Sequence, residues 1–250
     1  MASSDDRTSP RAGLAIIPHT APKDHNQAVA DPIAHFKAIP WCAALLADPS
    51  VLHVVVPDRR PLATGESNFV RRTMNSPTTI RASVTFFRPV LSSHSGSNSS
   101  PDDDEKKKKK KQEEKAVSAS AALLAGGGAQ NGEDPRNPFL LLSALADLGA
   151  DCMSFAGTMH GGLFPLLMDE VMGTAANFQA PHGAYTVTFT TDYRRAVQLP
   201  QVVLIRGRVT KKEGRKIYTR GTIEDKDGNI MCEGHGIWLA MSKNVGRSQL

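Results

Sequence analysis

At 250 residues and 40% hydrophobic content, the chain can bury one sizeable core or two small ones. Its formal charge of +5 suggests an anionic partner, but the charged run 102–115 holds seven lysines and six acids and is nearly neutral. Because no aromatic residues interleave these lysines to stack on bases, a solvated loop is favoured over a nucleic-acid-binding patch. We therefore expect no nucleic-acid partner.

Targeting signals are weak at both ends of the chain. Residues 1–27 lack the apolar core of a secretory signal, and we expect a flexible tail over residues 1–30. No stretch reaches the ~18 apolar residues of a membrane-spanning helix. The final Ser248-Gln249-Leu250 is similar to a peroxisomal Ser-Lys-Leu address, but glutamine replaces the basic residue. A cytoplasmic location is the expectation, with a peroxisomal or mitochondrial one as alternatives.

The spacing of the cysteines and the absence of several sequence motifs exclude some classes of enzyme. Cys42, Cys152 and Cys232 are widely spaced and form neither a paired-cysteine zinc motif nor a disulfide framework, so a reducing compartment fits. The chain has no Gly-x-Ser-x-Gly elbow, no His-Glu-x-x-His helix and no dinucleotide fingerprint. We expect no metal and no cofactor.

The N-terminal part predicts a helical extension over residues 31–78. Asp31 and Pro32 form a cap and first-turn pair, and apolar residues follow at helical spacing until Pro40 interrupts them. Residues 41–46 predict a second short helix. The run 79–87 is rich in β-branched and aromatic residues and predicts the first strand.

The middle of the chain predicts an insertion followed by a strand and a helix. Residues 92–137 are polar, charged and glycine-rich, which favours a disordered low-complexity insertion between two strands. Residues 139–146 predict the next strand. The segment 163–178 is apolar on nearly every side, which predicts an enclosed central helix. Because Pro165 is tolerated only in a first turn, this helix must begin close to Gly162.

Four long strands are predicted after this helix, over residues 185–193, 202–209, 217–224 and 230–239. Hairpin-length turns separate the last three, one of them with an Asp-Gly pair. The C-terminal half therefore predicts an antiparallel meander. The whole indicates an α+β class, in which about six antiparallel strands wrap one long helix in a domain spanning 79–241, with a tail over 242–250.

The tripeptide His160-Gly161-Gly162 precedes the central helix, where unpaired amides and the positive end of the helix dipole favour negative charge. Two glycines let a ligand approach the backbone, so these amides could hold the oxygen of a reacting carbonyl. A structural alternative is that the glycines only make the turn and that His160 is a core histidine.

Asp169 lies nine residues after His160 inside the apolar segment, where an ionised carboxylate is costly without compensation. The two residues are ~13 Å apart along a helix, too far for one chain to bring both to one carbonyl carbon. We therefore predict a two-fold dimer in which Asp169 of one subunit faces the glycine turn of the other. Glu170, the rival acid, points about 100° away around the helix.

Residues 157–162, the pair Asp169-Glu170 and the strand 184–193 together resemble hot-dog-fold acyl-CoA thioesterases of the 4-hydroxybenzoyl-CoA and phenylacetate-pathway type. The segment 40–48 is similar to filamentous-fungal members. The resemblance implies a hot-dog fold, a homodimer or dimer of dimers, and hydrolysis of an acyl-CoA or acyl-carrier-protein thioester. A hot-dog hydratase or dehydratase and a non-catalytic acyl-thioester-binding dimer are the alternatives.

The resemblance also implies roles for single residues. Asp169 is the catalytic carboxylate, Gly162 or Gly161 donates to the oxyanion, and His160 is structural or polarising. Relatives often have asparagine where Ser154 stands, and Thr186 occupies the place of a water-positioning hydroxyl. Arg194 and Arg195, just beyond a strand, are candidates to bind CoA phosphates, although exposed strand-end arginines are commonly solvated. The acyl group and the choice between general base and nucleophile stay open.

Overall fold

The computed structural model describes residues 24–88 and 139–242. The predicted insertion 92–137 and the peroxisomal-like C-terminus lie outside these residues. Within them, no helix is long and apolar enough to cross a bilayer. The helices are α1 (Pro32–Lys37), α2 (Pro40–Leu46) and α3 (Leu163–Asn177), and the strands are β1 (His53–Val55), β2 (Ile80–Arg88), β3 (Leu141–Leu148), β4 (Met153–Phe155), β5 (Thr158–Met159), β6 (Ala184–Tyr193), β7 (Gln201–Glu213), β8 (Lys216–Glu224) and β9 (Ile230–Ala240).

Seven of these strands form one antiparallel sheet in the order β1-β2-β3-β7-β8-β9-β6, and β4 and β5 form a separate hairpin before the central helix. Helix α3 packs against five strands of the large sheet. This arrangement confirms the predicted α+β class and the hot-dog architecture of a sheet around one long helix. The sheet has one strand more than the six expected, because β1 comes from the N-terminal extension.

Close approach between α3 and the sheet depends on glycines in the strands. Gly207 and Gly221 lie on neighbouring strands beneath Met172, and an added Cβ would come within 2.9 Å and 2.6 Å of its side chain. The helix begins at Leu163, as Pro165 predicted, with that proline in the first turn. The glycines set how closely the helix approaches the sheet, and Pro165 sets where the helix begins.

The prediction that α3 is enclosed on every side is wrong for the single chain. Glu170, Thr174 and Asn177 are exposed, and Asp169 is only half-buried. The three exposed residues follow helical spacing and define one open stripe along the helix. The sheet therefore covers most of the helix, but not the face that carries the two acids.

The meander is also shorter than predicted. Strands β7, β8 and β9 follow one another through tight turns, with Gly214 at φ 55° and Gly228 at φ 76°. Strand β6, however, pairs with β9 instead of β7 and ends the sheet. This placement lays β6 beside α3 and leaves one of its edges without a partner strand among the described residues.

The N-terminal extension covers the opposite part of the sheet. Asp31 caps α1 by accepting a hydrogen bond from the amide of Ala34 at 2.9 Å. Both short helices pack on the face of the sheet that is turned away from α3, where they form a second hydrophobic cluster with β2, β3 and β7. Residues 24–30, assigned to the flexible tail by the sequence, include the buried His25 and Gln27.

Candidate active site

The structure brings together two of the predicted site residues, Asp169 on α3 and Thr186 on β6. The Thr186 hydroxyl donates a hydrogen bond to Oδ1 of Asp169 at 2.8 Å. Asp169 is half-buried and Thr186 is exposed, so this pair lies at the surface beside the unpaired edge of β6. A carboxylate held in this way has a fixed orientation and keeps acceptor capacity for a water molecule.

Most backbone amides of the glycine turn donate hydrogen bonds to acceptors within the turn itself. Gly162 N–H donates to Nδ1 of His160 at 2.9 Å, Leu163 N–H to the His160 carbonyl at 2.9 Å, and Phe164 N–H to the Gly161 carbonyl at 3.3 Å. Among the described residues, the Gly161 amide is left without an acceptor. Of the two predicted oxyanion donors, Gly161 is therefore the one that is available in the single chain.

His160 is exposed, so the alternative of a core histidine is wrong. Its Nδ1 accepts the Gly162 amide and its own amide donates to the Cys152 carbonyl at 2.8 Å. The side chain thus acts as a cap for the backbone of the turn. Because Nδ1 is the acceptor here, any proton on the neutral ring is at Nε2.

Tyr193, at the end of β6, is a contact that sequence reasoning missed. Its hydroxyl donates to the Gly161 carbonyl at 3.1 Å, and its ring meets Phe164 edge-on at 5.3 Å. These two contacts tie the glycine turn to the same strand that carries Thr186. The only signal in the sequence is the strand pattern of 185–193, which does not indicate what lies opposite the tyrosine.

Glu170 faces cations from the N-terminal extension, which sequence reasoning also missed. Desolvation, followed by the charge of Asp169, raises the pKa of Glu170, while Arg59 and Arg71 counteract that rise. Although the carboxylate is solvent-accessible in the single chain, protein surrounds much of it. Glu170 is therefore harder to ionise than a fully solvated glutamate.

Arg59 is buried with 8% of its surface exposed, and its Nη2 donates to the Ser83 hydroxyl on β2 at 3.0 Å. Its Nη1 is buried without a hydrogen-bond partner among the described residues. Burial lowers the pKa of Arg59 to about 10, and the charge of Glu170 opposes this shift. A residue of the predicted helical extension thus acts electrostatically on Glu170 of the central helix.

The remaining predicted site residues do not contact Asp169. Ser154 is exposed on β4, in the hairpin before His160. Arg194 forms an ion pair with Glu233 at 3.2 Å, and Arg195 is exposed beside it. Both arginines follow Tyr193, so they lie at the glycine-turn end of β6. Among residues 24–88 and 139–242, no group of three or more histidine, cysteine or acidic side chains could hold a metal ion.

The candidate site has two halves, the carboxylate of Asp169 and the amide of Gly161, and within one chain they remain apart. Asp169 and Gly161 are eight positions apart, which corresponds to roughly 12 Å along a helix. Thr186 holds the carboxylate half near the start of β6, and Tyr193 holds the amide half at the end of the same strand. A single chain therefore cannot place both halves on one carbonyl carbon.

Residues 156–232 match the family model of the thioesterase superfamily. An acyl-coenzyme A thioesterase of Xenopus laevis, THEM4, is 33% identical over 75 residues, which make up 30% of this chain and 33% of the relative. The matched segment is thus distantly related to acyl-CoA thioesterases. It contains both halves of the site, but not Ser154. The chain spans about a third of the length of this curated relative.

Several solved structures are similar to part of the chain. A Streptococcus mutans protein bound to acetyl-CoA has 16% identity and a TM-score of 0.39, and covers 42% of this chain and 83% of its own. The phenylacetic acid degradation protein PaaI of Thermus thermophilus has 22% identity and a TM-score of 0.38, and covers 40% and 85%. A further protein of the thioesterase superfamily has 21% identity and a TM-score of 0.38, and covers 42% and 79%.

Proposed function

We propose that this protein is an acyl-CoA thioesterase, which hydrolyses an acyl thioester to the free acid and the thiol. The observation that carries the proposal is the half-buried Asp169, oriented by Thr186 beside a free strand edge. Support comes from the thioesterase superfamily match, which spans these residues, and from the acyl-coenzyme A thioesterase of the frog, which is 33% identical over 75 residues.

The chemistry needs a base or nucleophile and a donor for the oxyanion. Asp169 takes a proton from a water molecule that attacks the carbonyl carbon, or attacks that carbon itself to form an anhydride that water then cleaves. The Gly161 amide, at the positive end of α3, stabilises the oxyanion. When the carbon–sulfur bond breaks, the thiolate leaves and takes up a proton. Thr186 keeps the carboxylate in its orientation, and His160 holds the turn.

The proposal requires a two-fold dimer, and β6 offers the surface for it. Its free edge is ten residues long, and Tyr185 and Val187 on it are 54% and 61% exposed. A long strand edge with unpaired backbone groups is a template for pairing with another strand. In a two-fold contact, residue i of one subunit meets residue j of the other in both directions, so two complete sites form together.

Substitution of Asp169 by asparagine tests the proposal. It preserves size and a hydrogen bond to Thr186 but removes the basic oxygen, so we expect turnover of acyl-CoA to fall by about 10²- to 10⁴-fold. The measurement is thiol release across a panel of acyl-CoA substrates, with molecular mass in solution showing that the dimer persists. The matched control is Glu170→Gln on the same helix, which should retain most of the turnover.

Three outcomes would contradict the proposal. Full turnover by Asp169→Asn removes the assigned carboxylate. Addition of water to an enoyl thioester without thiol release indicates a hydratase. Tight binding of acyl-CoA by the unmodified protein without any product indicates a binding protein.

A further inference from the structure

A cavity of about 370 Å³ lies where the N-terminal segment meets the turn before β2. Its polar lining comes from Asn26, Gln27, Arg71, Arg72, Asn75 and Ser76. Of the described residues that line it, none is acidic. Two guanidinium groups in one cavity without a neighbouring carboxylate in the lining produce a site for negative charge.

The lining presents both free donors and one unused acceptor. Arg71 is held by a single hydrogen bond from its Nη1 to the Arg60 carbonyl at 2.6 Å, which leaves its other N–H groups available. Asn75 donates through Nδ2 to the carbonyls of Asn26 and Arg71 at 2.6 Å and 3.2 Å. Its Oδ1 is buried without a partner. A complementary ligand therefore carries anionic oxygens and at least one N–H or O–H donor.

Asp58 does not neutralise the cavity. The charge of Arg71 contributes to lowering the pKa of Asp58, but the main cause is the hydrogen bond from Arg60, whose Nη2 lies 2.7 Å from that carboxylate. Asp58 and Arg60 therefore satisfy one another. The positive charge of Arg71 and Arg72 remains available to a ligand.

Arg71, in the lining of the cavity, acts electrostatically on Glu170 of α3, because its charge opposes the rise in the pKa of that acid. In an acyl-CoA, the pantetheine arm separates the thioester from the phosphates, so a phosphate site must lie away from Asp169 and not beside it. The adenosine adds amino and hydroxyl donors to those phosphates. Both chemical features of the cavity have a counterpart in that end of the molecule.

We propose that this cavity binds the phosphorylated adenosine end of coenzyme A, with Arg71 and Arg72 on the phosphates and Asn75 Oδ1 accepting from the nucleoside. The inference rests on the proposed thioesterase function and assigns the N-terminal extension to the substrate site. It also selects CoA over a carrier protein, whose phosphopantetheine arm has no adenosine. Arg194, which is already paired with Glu233, is not needed for this contact.

The test is a double variant, Arg71→Gln with Arg72→Gln, compared with Lys226→Gln on the turn between β8 and β9. Calorimetry measures the Kd of CoA, 3′-dephospho-CoA and pantetheine, and kinetics measures KM for an acyl-CoA and for the matching acyl-pantetheine. We expect the double variant to raise Kd for CoA and KM for acyl-CoA about ten-fold, since two partly exposed charged contacts are lost. The acyl-pantetheine KM and the Lys226→Gln protein should not change.

An unchanged Kd for CoA, or an equal loss on acyl-pantetheine, overturns the inference. If the double variant fails to fold, Arg72→Gln alone serves the same test, because this exposed side chain makes no contact recorded among the described residues. Failure of the proposed function gives a different result, in which CoA binds through these arginines but no acyl-CoA is hydrolysed. Hydrolysis with a Kd independent of Arg71 and Arg72 refutes only the inference.

Discussion

The two sides of the sheet differ in how the chain covers the backbone of their outer strands. At the first edge, the N-terminal extension supplies β1 for one half of β2, and Gln27 bonds to the backbone of Ser83 in the other half. At the second edge, β6 has no partner among the described residues and exposes Tyr185 and Val187. The outer edge of β2 is therefore closed by the chain itself, whereas among the described residues that of β6 is open next to Asp169.

This difference separates a covered strand edge from one that is accessible to another strand. Unpaired backbone groups at a strand edge invite association, and proteins cover the edges that must stay inert. The N-terminal extension covers the outer edge of β2. The edge left bare is the one that holds Thr186 and Tyr193, the two residues in contact with the halves of the site.

The largest effect is expected from a charge on the open edge. Val187→Asp places two like charges near the two-fold axis of the proposed dimer, which costs several kcal/mol. We expect the dimer dissociation constant to rise at least about 100-fold, with turnover falling in parallel at low protein concentration. Analytical ultracentrifugation and thiol-release assays measure both. The control is Leu52→Asp, an equally exposed residue beside β1, and loss of the dimer in that variant would contradict the comparison.

A smaller effect is expected from Gly161→Ala in the glycine turn. Within the chain, the new methyl group meets nothing within 4 Å, so the fold should not change. It would occupy space at the Gly161 amide that the substrate needs, so we expect kcat/KM to fall about 100-fold, the scale of losing an oxyanion donor. Thermal unfolding checks that the fold is unchanged, and steady-state kinetics measures the fall in kcat/KM. Full activity in a folded variant would remove Gly161 from the site.

At the closed edge, Gln27→Ala should lower stability and leave the chemistry intact. The side chain accepts from the Ser83 amide at 2.6 Å and donates to the carbonyls of Ser83 and Pro57 at 3.1 Å and 3.0 Å. Loss of these partners leaves buried backbone groups unsatisfied, which costs about 2–3 kcal/mol. Urea unfolding measures the change. The exposed Glu66→Ala is the control, and a similar loss there would show that the edge contact is unimportant.

The smallest effect concerns the pH dependence of Glu170. Since the fold raises the pKa of Glu170 above its ordinary 4.5, ionisation of this group disfavours the folded state. Stability from the neutral form is present below pH 4.5 and is lost as pH rises through the raised pKa. Glu170→Gln should therefore have a Tm close to the unmodified protein at pH 4 and a higher Tm at pH 7. A lower Tm at pH 7 would mean that Arg59 and Arg71 outweigh desolvation.

Local patterns predicted most of the elements. The cap at Asp31, the strand starting near Ile80 and the helix start fixed by Pro165 all depend on neighbours in the sequence, and the structure confirms them. The place of β6 at the far edge could not be predicted in this way. A strand pattern states which face is buried but not which strand lies beside it, and β6 pairs with β9 across the chain.

By itself, the sequence determined that a glycine turn precedes the central helix and that an acid lies within that helix. The helical rise per residue then fixes the distance between the two. Only the tertiary structure decided that the Gly162 amide is bonded to His160 while the Gly161 amide has no acceptor among the described residues. It also decided that Thr186 holds Asp169 and that the charges of Arg59 and Arg71 act on Glu170. These contacts join residues distant in the chain, and packing of the whole sheet sets their geometry. No local propensity contains that information.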